Sequence, residues 1–193
     1  ILNRKHNKCK YILMLTKSQI KLIASLSQKK FRSQHQLFVV EGKKGIEEFL
    51  NSSMELSHLY ATSKSFEVDA AHFTQVTEAE LKKISGLTTP NVALALFKMP
   101  KNQEVNDSKL IVALDAVRDP GNLGTIIRLC DWFGVEHLVC SEQTVDCYNP
   151  KVVQATMGSL TRVNIHYLDL EAFLKSSDVP KFGAFMEGDT VYN

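Results

Sequence analysis

The feature that most constrains the fold is an apolar run, LIVALD at 110–115, which leads straight into the turn sequence VRDPGNLG. A continuous apolar run of this kind is typical of a strand buried on both faces of a parallel sheet. The following stretch, GTIIRLCDWF, has helical spacing and a glycine stop at Gly134. We expect the buried side of this helix to carry Ile126, Leu129, Cys130 and Phe133.

The rest of the second half repeats this alternation of strand and helix. HLVC predicts a strand, and NPKVVQATMG predicts a helix with Asn149 as N-cap and Pro150 in the first position. RVNIHYL, LEAFLKSS and FGAFME then predict a strand, a helix and a fourth strand. Such alternation indicates a parallel sheet with helices on its faces.

The first half predicts a smaller α/β unit. LFVVEG, LSHLYAT and NVALALFK are typical of strands, and helices are predicted from Ser18 to about Ser27, over KKGIEEFLNSS and over TEAELKKISGL. The last helix opens with a capping box formed by Thr77 and Glu80. The polar stretch MPKNQEVNDSK then indicates a linker. The predicted organisation is an extension or expression remnant at 1–13, a first domain at 14–100, a linker at 101–109 and a second domain at 110–193.

Composition narrows the class of protein. The net charge of +2 includes four basic residues and no acid within the first thirteen positions, so the remainder carries −2 and nucleic-acid binding would have to use local basic patches. The four cysteines form no C-x-x-C pair, which indicates free buried thiols and no metal site. No apolar run approaches the roughly 18 residues that cross a bilayer. A cytoplasmic protein without a membrane partner is expected.

The turn after LIVALD has the chemistry of a ligand site. In parallel α/β sheets ligands bind beyond the carboxyl ends of the strands. Asn122 and Thr125 fall at the predicted helix start, where free backbone N–H groups favour anions, and Arg128 projects from the next turn. An amide, free N–H groups and a guanidinium together suit a phosphate–ribose unit.

Two other interpretations fit the same residues. In the first, the loop has no ligand, Asn122 is only a helix cap, and Arg128 pairs with Asp131 on its own helix. In the second, the unit binds a dinucleotide, with Glu142 as the acidic partner of a ribose. The dinucleotide fingerprint requires G-x-G-x-x-G, whereas this loop offers only Gly121 and Gly124 with Pro120 before them.

The segment LDAVRDPGNLGTIIRLCDWFGV closely resembles the first motif of the SpoU (TrmH-like) family of RNA ribose 2′-O-methyltransferases, within the SPOUT superfamily. NPKVVQATMGSLTRVNI is similar to the segment that follows it, except that Gln154 stands where an arginine is common. The first half is similar to the ribosomal-protein-like α/β substrate-binding domain of many members. The resemblance implies a knotted α/β domain, S-adenosylmethionine as methyl donor, the 2′-hydroxyl of rRNA more than tRNA as acceptor, and a homodimer.

The resemblance also assigns the catalytic residues. The matching asparagine and arginine are Asn122 and Arg128, which in the family serve the acceptor side of the reaction. Arginine is a poor base because its guanidinium keeps its proton in proteins. We therefore interpret Arg128 as a clamp on RNA phosphate that stabilises developing alkoxide charge, with Asn122 orienting it.

In the first half, Lys29, Lys30 and Arg32 surround Phe31, which suits contact with RNA backbone and one stacked base. The alternative is a solvated helix end with Phe31 turned into the core. By resemblance, Glu41 and Gly42 end a strand at an RNA-binding surface. Of the six histidines, only His35 lies beside the basic cluster.

The family's two later motifs, a G-N-E-G-like loop and an S-L-N-rich segment, have no match in this sequence, which ends at EGDTVYN. In the family these motifs form the knot, the cofactor pocket and much of the dimer face. The cofactor-binding residues therefore stay unassigned, and we expect residues 1–193 alone not to bind S-adenosylmethionine detectably. Two functions are compatible with the sequence: the RNA methyltransferase, and a non-catalytic RNA-binding remnant of the family.

Overall fold

The computed structural model describes residues 15–184 apart from 91, 102, 107 and 108. The α-helices are α1 (Lys17–Ser25), α2 (Lys29–His35), α3 (Lys43–Leu50), α4 (Glu78–Ile84), α5 (Pro120–Trp132), α6 (Pro150–Thr156) and α7 (Leu170–Ser176). The strands are β1 (Leu37–Glu41), β2 (Leu56–Ala61), β3 (Phe73–Gln75), β4 (Ala93–Lys98), β5 (Ile111–Leu114), β6 (His137–Ser141) and β7 (Asn164–Leu168). Short 3₁₀ turns lie at Ala70–His72 and Ser159–Thr161.

The helix starts follow their capping residues. Thr77 accepts from the backbone N–H of Glu80 while the Glu80 carboxylate accepts from Thr77, which confirms the predicted capping box. Asn149 accepts from Lys151 and Pro150 opens α6, also as predicted. Helix α2 was not predicted, because KKFRSQH has no apolar periodicity and its N-cap, Gln28, makes no side-chain cap.

The first half forms a four-stranded sheet in the order β1-β4-β2-β3. Strands β1 and β2 each pair antiparallel with β4, while β3 pairs parallel with β2. The predicted strands correspond to β1, β2 and β4. Strand β3 was missed because Phe73–Gln75 is three residues long and only half-buried.

The second half forms a parallel sheet in the order β5-β6-β7, which confirms the predicted architecture. The prediction that LIVALD is buried on both faces was wrong. Within the described residues β5 is an edge strand, so Ala113 is exposed and Leu110 is 72% exposed. The strand buried along its whole length is the central one, β6. Of the predicted fourth strand, Phe182–Ala184 lie outside any strand and 185–187 fall outside the described residues.

Helix α5 begins four residues earlier than expected, and it also buries a different face from the one predicted. Its inner face carries Leu123, Gly124, Ile127 and Cys130. Leu129 and Phe133, predicted to be inside, are 50% and 73% exposed. Gly124 lets α5 approach α6 closely, since an ideal Cβ on Gly124 would lie 2.4 Å from Ala155 Cβ. With this inner face, the arginine of the helix and its aromatic end lie on the side away from the core.

The two halves share one hydrophobic core across the predicted linker. Phe38 and Phe49 from the first half belong to the same buried cluster as Leu123 and Val152 from the second. The rings of Phe38 and Tyr148 touch directly, with centroids 4.7 Å apart. A second cluster, which includes Ile23, Leu81 and Leu94, lies within the first half.

Three cysteines, Cys130, Cys140 and Cys147, are buried free thiols as predicted, whereas Cys9 lies outside the described residues. Burial raises the pKa of Cys140 to about 12, so this thiol is kept protonated and inert at neutral pH. The described residues contain no group of three or more metal-ligating side chains. No helix among them has the length and apolar character that a membrane crossing requires.

Candidate functional site

The start of α5 does not present a free anion site. Asp119 is the N-cap, and its carboxylate accepts from the backbone N–H of Asn122 at 2.8 Å. A negative charge therefore already sits on the positive end of the helix dipole. Thr125, also expected to face an anion, donates its hydroxyl to the Gly121 carbonyl at 2.9 Å. The prediction of free N–H groups at this turn was wrong, because Asp119 acts as a cap and not only as a turn residue.

Asn122 and Arg128 lie on the same helix but do not face each other. Since α5 begins at Pro120, six residues separate the two side chains, which corresponds to about 9 Å along the axis and about 120° around it. Both side chains are exposed. Within this chain Asn122 therefore does not orient Arg128, and each would contact a different part of a ligand.

Arg128 lines an open cleft at the outer side of α5, together with Thr125, Leu129, Asp131, Trp132, Phe133 and Ser159. Trp132 is 83% exposed, so the cleft combines a cation with an accessible aromatic ring. Among the described residues Arg128 makes no hydrogen bond or ion pair. The alternative in which Arg128 pairs with Asp131 is therefore wrong for this structure.

Asp131 is held instead by Arg162, which follows the 3₁₀ turn at Ser159–Thr161. Nε of Arg162 donates to both carboxylate oxygens at 2.9 and 3.0 Å, and Nη2 donates to Oδ2 at 2.8 Å. These hydrogen bonds hold the pKa of the Asp131 carboxyl below its ordinary value. Nη1 of the same guanidinium donates to Glu48 on α3 at 3.0 Å, which connects the cleft to the first half.

The basic cluster of α2 divides into an exposed part and a buried part. Lys29 and Lys30 are exposed and stay candidates for RNA backbone contact, with Lys29 Nζ 5.6 Å from the Tyr167 ring centroid. Phe31 is half-buried, which is compatible both with stacking on a base and with a ring turned toward the core. His35, beside this cluster, is exposed.

Arg32 was predicted to bind RNA, and this prediction was wrong. It is 2% exposed, and Nε donates to Asp146 at 3.1 Å while Nη1 donates to the carbonyl oxygens of Leu26 and Ser27 at 2.8 and 2.9 Å. A guanidinium satisfied in this way has no donor facing solvent for a phosphate. Arg32 instead joins the first half to the loop that precedes α6.

Glu41 lies at a second cleft, between the two halves, and Gly42 follows it as the N-cap residue of α3. The Glu41 carboxylate accepts from the Ser85 hydroxyl and from the backbone N–H of Gly86, so both of its oxygens are engaged within the first half. Lys44 and Lys151 line the same cleft from opposite halves. Gln154 lies there too, at the position where the family commonly has arginine.

A third cleft lies at the carboxyl edge of the parallel sheet. Its polar lining is acidic and hydroxylic, from Asp115, Ser141, Glu142, Asp169 and Glu171. This charge disfavours a pyrophosphate, and the Asp119 cap occupies the helix start that a pyrophosphate would use. The dinucleotide interpretation is therefore not supported, although Glu142 does lie at this edge.

Sequence reasoning missed Arg162, Trp132 and Phe133. The resemblance covered the segment GSLTRV that contains Arg162, but its contacts to Asp131 and Glu48 span 31 and 114 positions and leave no local pattern. Phe133 had been predicted on the buried side of the helix, and Trp132 had not been assigned to either side.

The comparisons with known proteins give a family match for each half of the chain. The family model described as "SpoU rRNA Methylase family" matches residues 109–187, and the model described as "MRM3-like substrate binding domain" matches residues 17–95. The curated 23S rRNA (guanosine(2553)-2′-O)-methyltransferase RlmP of Bacillus subtilis is 26% identical and aligns with 86% of this chain. Mitochondrial rRNA methyltransferase 3 of Xenopus laevis is 29% identical over 75% of this chain. The chain spans 70% of the length of the first relative and 38% of the second.

Solved structures give the same result. An RNA methyltransferase structure of the TrmH family from Porphyromonas gingivalis superposes with a TM-score of 0.82 at 36% identity, covering 91% of this chain and 73% of that one. The AdoMet-bound rRNA methyltransferase of Sinorhizobium meliloti gives 0.71 at 29% identity, covering 83% of this chain and 65% of that one. On these matches to both halves, this chain belongs to the SpoU (TrmH-like) family of RNA methyltransferases.

Proposed function

We propose that the protein transfers a methyl group from S-adenosylmethionine to the 2′-hydroxyl of a ribose in rRNA. Family membership supports the reaction class, and the name of the Bacillus subtilis relative supports rRNA over tRNA. The observation that carries the proposal is Arg128, an exposed guanidinium without a protein partner among the described residues, which lies in an open cleft beside Trp132. An unpaired, accessible cation of this kind suits a nucleic-acid phosphate.

The role of Arg128 follows from its charge. Because the guanidinium keeps its proton, Arg128 would act as a clamp and not as a base. It would hold the RNA phosphate next to the reacting ribose and stabilise the negative charge that develops on the 2′-oxygen. Much of the rate would come from fixing the acceptor in line with the methyl group. Asn122, about 9 Å away along the helix, would make a separate contact.

The carboxyl-edge cleft suits the proposed donor. Carboxylates such as Asp115, Glu142 and Asp169 accept hydrogen bonds from ribose hydroxyls and favour a positive group, and S-adenosylmethionine carries both a ribose diol and a sulfonium. When bound, the donor supplies an electrophilic methyl group. The residues of this edge would contribute to its pocket but, as expected from the unmatched later motifs, would not bind it detectably on their own, while those of the Arg128 cleft would hold the RNA.

A second candidate function is RNA binding without catalysis. Lys29 and Lys30 on α2, and Lys44 and Lys151 at the cleft between the halves, favour it because all four are exposed cations that suit an RNA backbone whether or not a methyl group is transferred. We further propose that the protein acts as a homodimer in the cytoplasm, as the family resemblance and the composition imply.

The test is methylation of rRNA by the purified full-length protein with methyl-labelled S-adenosylmethionine. We expect Arg128→Ala to lower kcat/KM at least about 100-fold, since the loss of one charge-stabilising donor typically costs that much. Lys82→Ala, on the exposed face of α4, is the matched control and should stay within about twofold of wild type. Near-normal transfer by Arg128→Ala would contradict the assigned role. RNA binding without methyl transfer by the wild-type protein would favour the second function.

A further inference from the structure

We propose that Arg162 is a positioning residue for the transfer reaction: by binding the Asp131 carboxylate it keeps that acid from pairing with Arg128 and leaves the Arg128 guanidinium available for RNA. This inference rests on the proposed function, which depends on an Arg128 guanidinium without a protein partner. The inference explains why that guanidinium stays unpaired.

The first step is the spacing on α5. Arg128 and Asp131 are three residues apart on one helix, a spacing at which opposite charges meet and pair. Both side chains line the same cleft. Without a competing cation, an ion pair between them is the expected arrangement, and it would neutralise the charge that RNA requires.

The second step is the geometry of the competing cation. Arg162 engages both carboxylate oxygens of Asp131 through three hydrogen bonds of 2.8 to 3.0 Å. Such planar fork contacts are stronger than a contact to a single oxygen. The Asp131 side chain is only 21% exposed and is bound by Arg162, so its carboxylate is not available to pair with Arg128.

The third step is the anchor that holds Arg162. Its Nη1 bonds Glu48 on α3, so the guanidinium is fixed from a second side. Gly158, with φ +97°, brings the preceding turn so near α3 that an ideal Cβ there would lie 2.7 Å from Glu48 Cβ. The position of the substrate-binding half is thereby linked to the availability of Arg128.

The experiment is a double-mutant cycle between Arg162 and Asp131 in the full-length protein, read as kcat/KM for rRNA methylation. Arg162→Ala should lower kcat/KM by about two- to fivefold, in line with the usual strength of a partly exposed ion pair. In an Asp131→Asn background the same change should cost less than about twofold, because no carboxylate is left to capture Arg128. Lys82→Ala, which touches neither Arg162 nor Asp131, should stay within about twofold of wild type.

A second readout separates positioning from a structural role. In a ¹⁵N-labelled Arg162→Ala protein, the Arg128 Nε–H signal should become protected from solvent exchange, and Asp131→Asn should abolish that protection. Circular dichroism and thermal melting establish that each variant is folded.

Three outcomes would overturn the inference: no loss of activity in Arg162→Ala, a loss that Asp131→Asn does not relieve, or an Arg128 signal that stays unprotected. Failure of the proposed function looks different. In that case Arg128→Ala itself would retain transfer, whatever the cycle shows.

Discussion

Gly124 of α5 lies directly against Ala155 of α6, between the two helices that carry the family segments. An ideal Cβ on Gly124 would lie 2.4 Å from Ala155 Cβ and 3.1 Å from the Ala155 carbonyl carbon. Because part of this contact is backbone, α5 and α6 would have to separate to admit any side chain. The glycine therefore fixes the position of the helix that presents Arg128.

Replacing this glycine should destabilise the protein. We expect Gly124→Ala to lower the free energy of unfolding by about 1–3 kcal/mol, the usual range for overpacking. Urea denaturation measures the change. The matched control is Gly45→Ala in α3, where the new methyl group meets Val40 Cγ1 at 3.5 Å, an ordinary contact. The control should gain up to about 1 kcal/mol from helix propensity, and equal effects of the two substitutions would contradict the packing argument.

Removing Arg32 should lower the stability of the fold. Arg32→Ala leaves Asp146 without its cation and two carbonyl groups without a donor, and breaking a buried ion pair in this way costs about 3–5 kcal/mol. Chemical denaturation gives the value. Lys30→Ala, two residues away on the exposed side of α2, should change stability by less than about 0.5 kcal/mol. A fully stable Arg32→Ala protein would show that the buried pair contributes little.

Lys30 should contribute to RNA affinity through charge alone. Lys30→Ala should weaken binding of different RNA sequences to a similar degree and lower the salt slope by up to about 0.9, the value for one phosphate contact. Filter binding at several salt concentrations checks both effects. Lys82→Ala serves again as control. If the slope is unchanged in Lys30→Ala, the α2 surface is not part of the RNA interface.

A buried histidine pair should make the protein less stable in mild acid. His137 Nδ1 and His166 Nε2 are 2.9 Å apart, and the two rings are stacked. Burial, together with the neighbouring His137, lowers the pKa of His166 below its ordinary value of 6.5. The neutral form is therefore favoured in the folded state. Its stabilisation is complete above about pH 6.5 and is lost as the pH falls toward the folded pKa.

The measurement is the thermal midpoint between about pH 7.5 and about pH 5.5. We expect wild type to lose stability over this window and His166→Asn to show a flatter profile. His35→Asn, at an exposed position on α2, should follow wild type. Parallel profiles for wild type and His166→Asn would assign the acid sensitivity to other groups.

The sequence was sufficient for the architecture because the relevant signals are local. Apolar runs predicted six of the seven strands, and the capping residues Thr77 and Asn149 placed two helix starts correctly. It failed where a side chain has two plausible local roles. Asp119 was interpreted as a turn former although it is the N-cap, and this placed the predicted start of α5 too late.

The prediction of the candidate site was incomplete, and the reason differs from the one for the fold. Arg128 and Asn122 came from a motif, but the freedom of Arg128 depends on Arg162, and the burial of Arg32 depends on Asp146, a residue 114 positions away. Charge clusters in a sequence do not reveal which members find distant partners in the fold. Lys29, Lys30 and Arg32 looked equivalent for that reason, and only two of them face solvent.

The contact between Phe38 and Tyr148 joins the two halves directly, outside the stretch 101–109. Aromatic rings and aliphatic side chains pack across the boundary, so a shared core holds the two halves together in addition to the chain connection. Under the proposed function, an RNA feature gripped by the first half would lie at a set span from the nucleotide that Arg128 reaches. The enzyme would then select its target nucleotide by its distance from that feature in the folded rRNA, and not by the base sequence around the modified nucleotide.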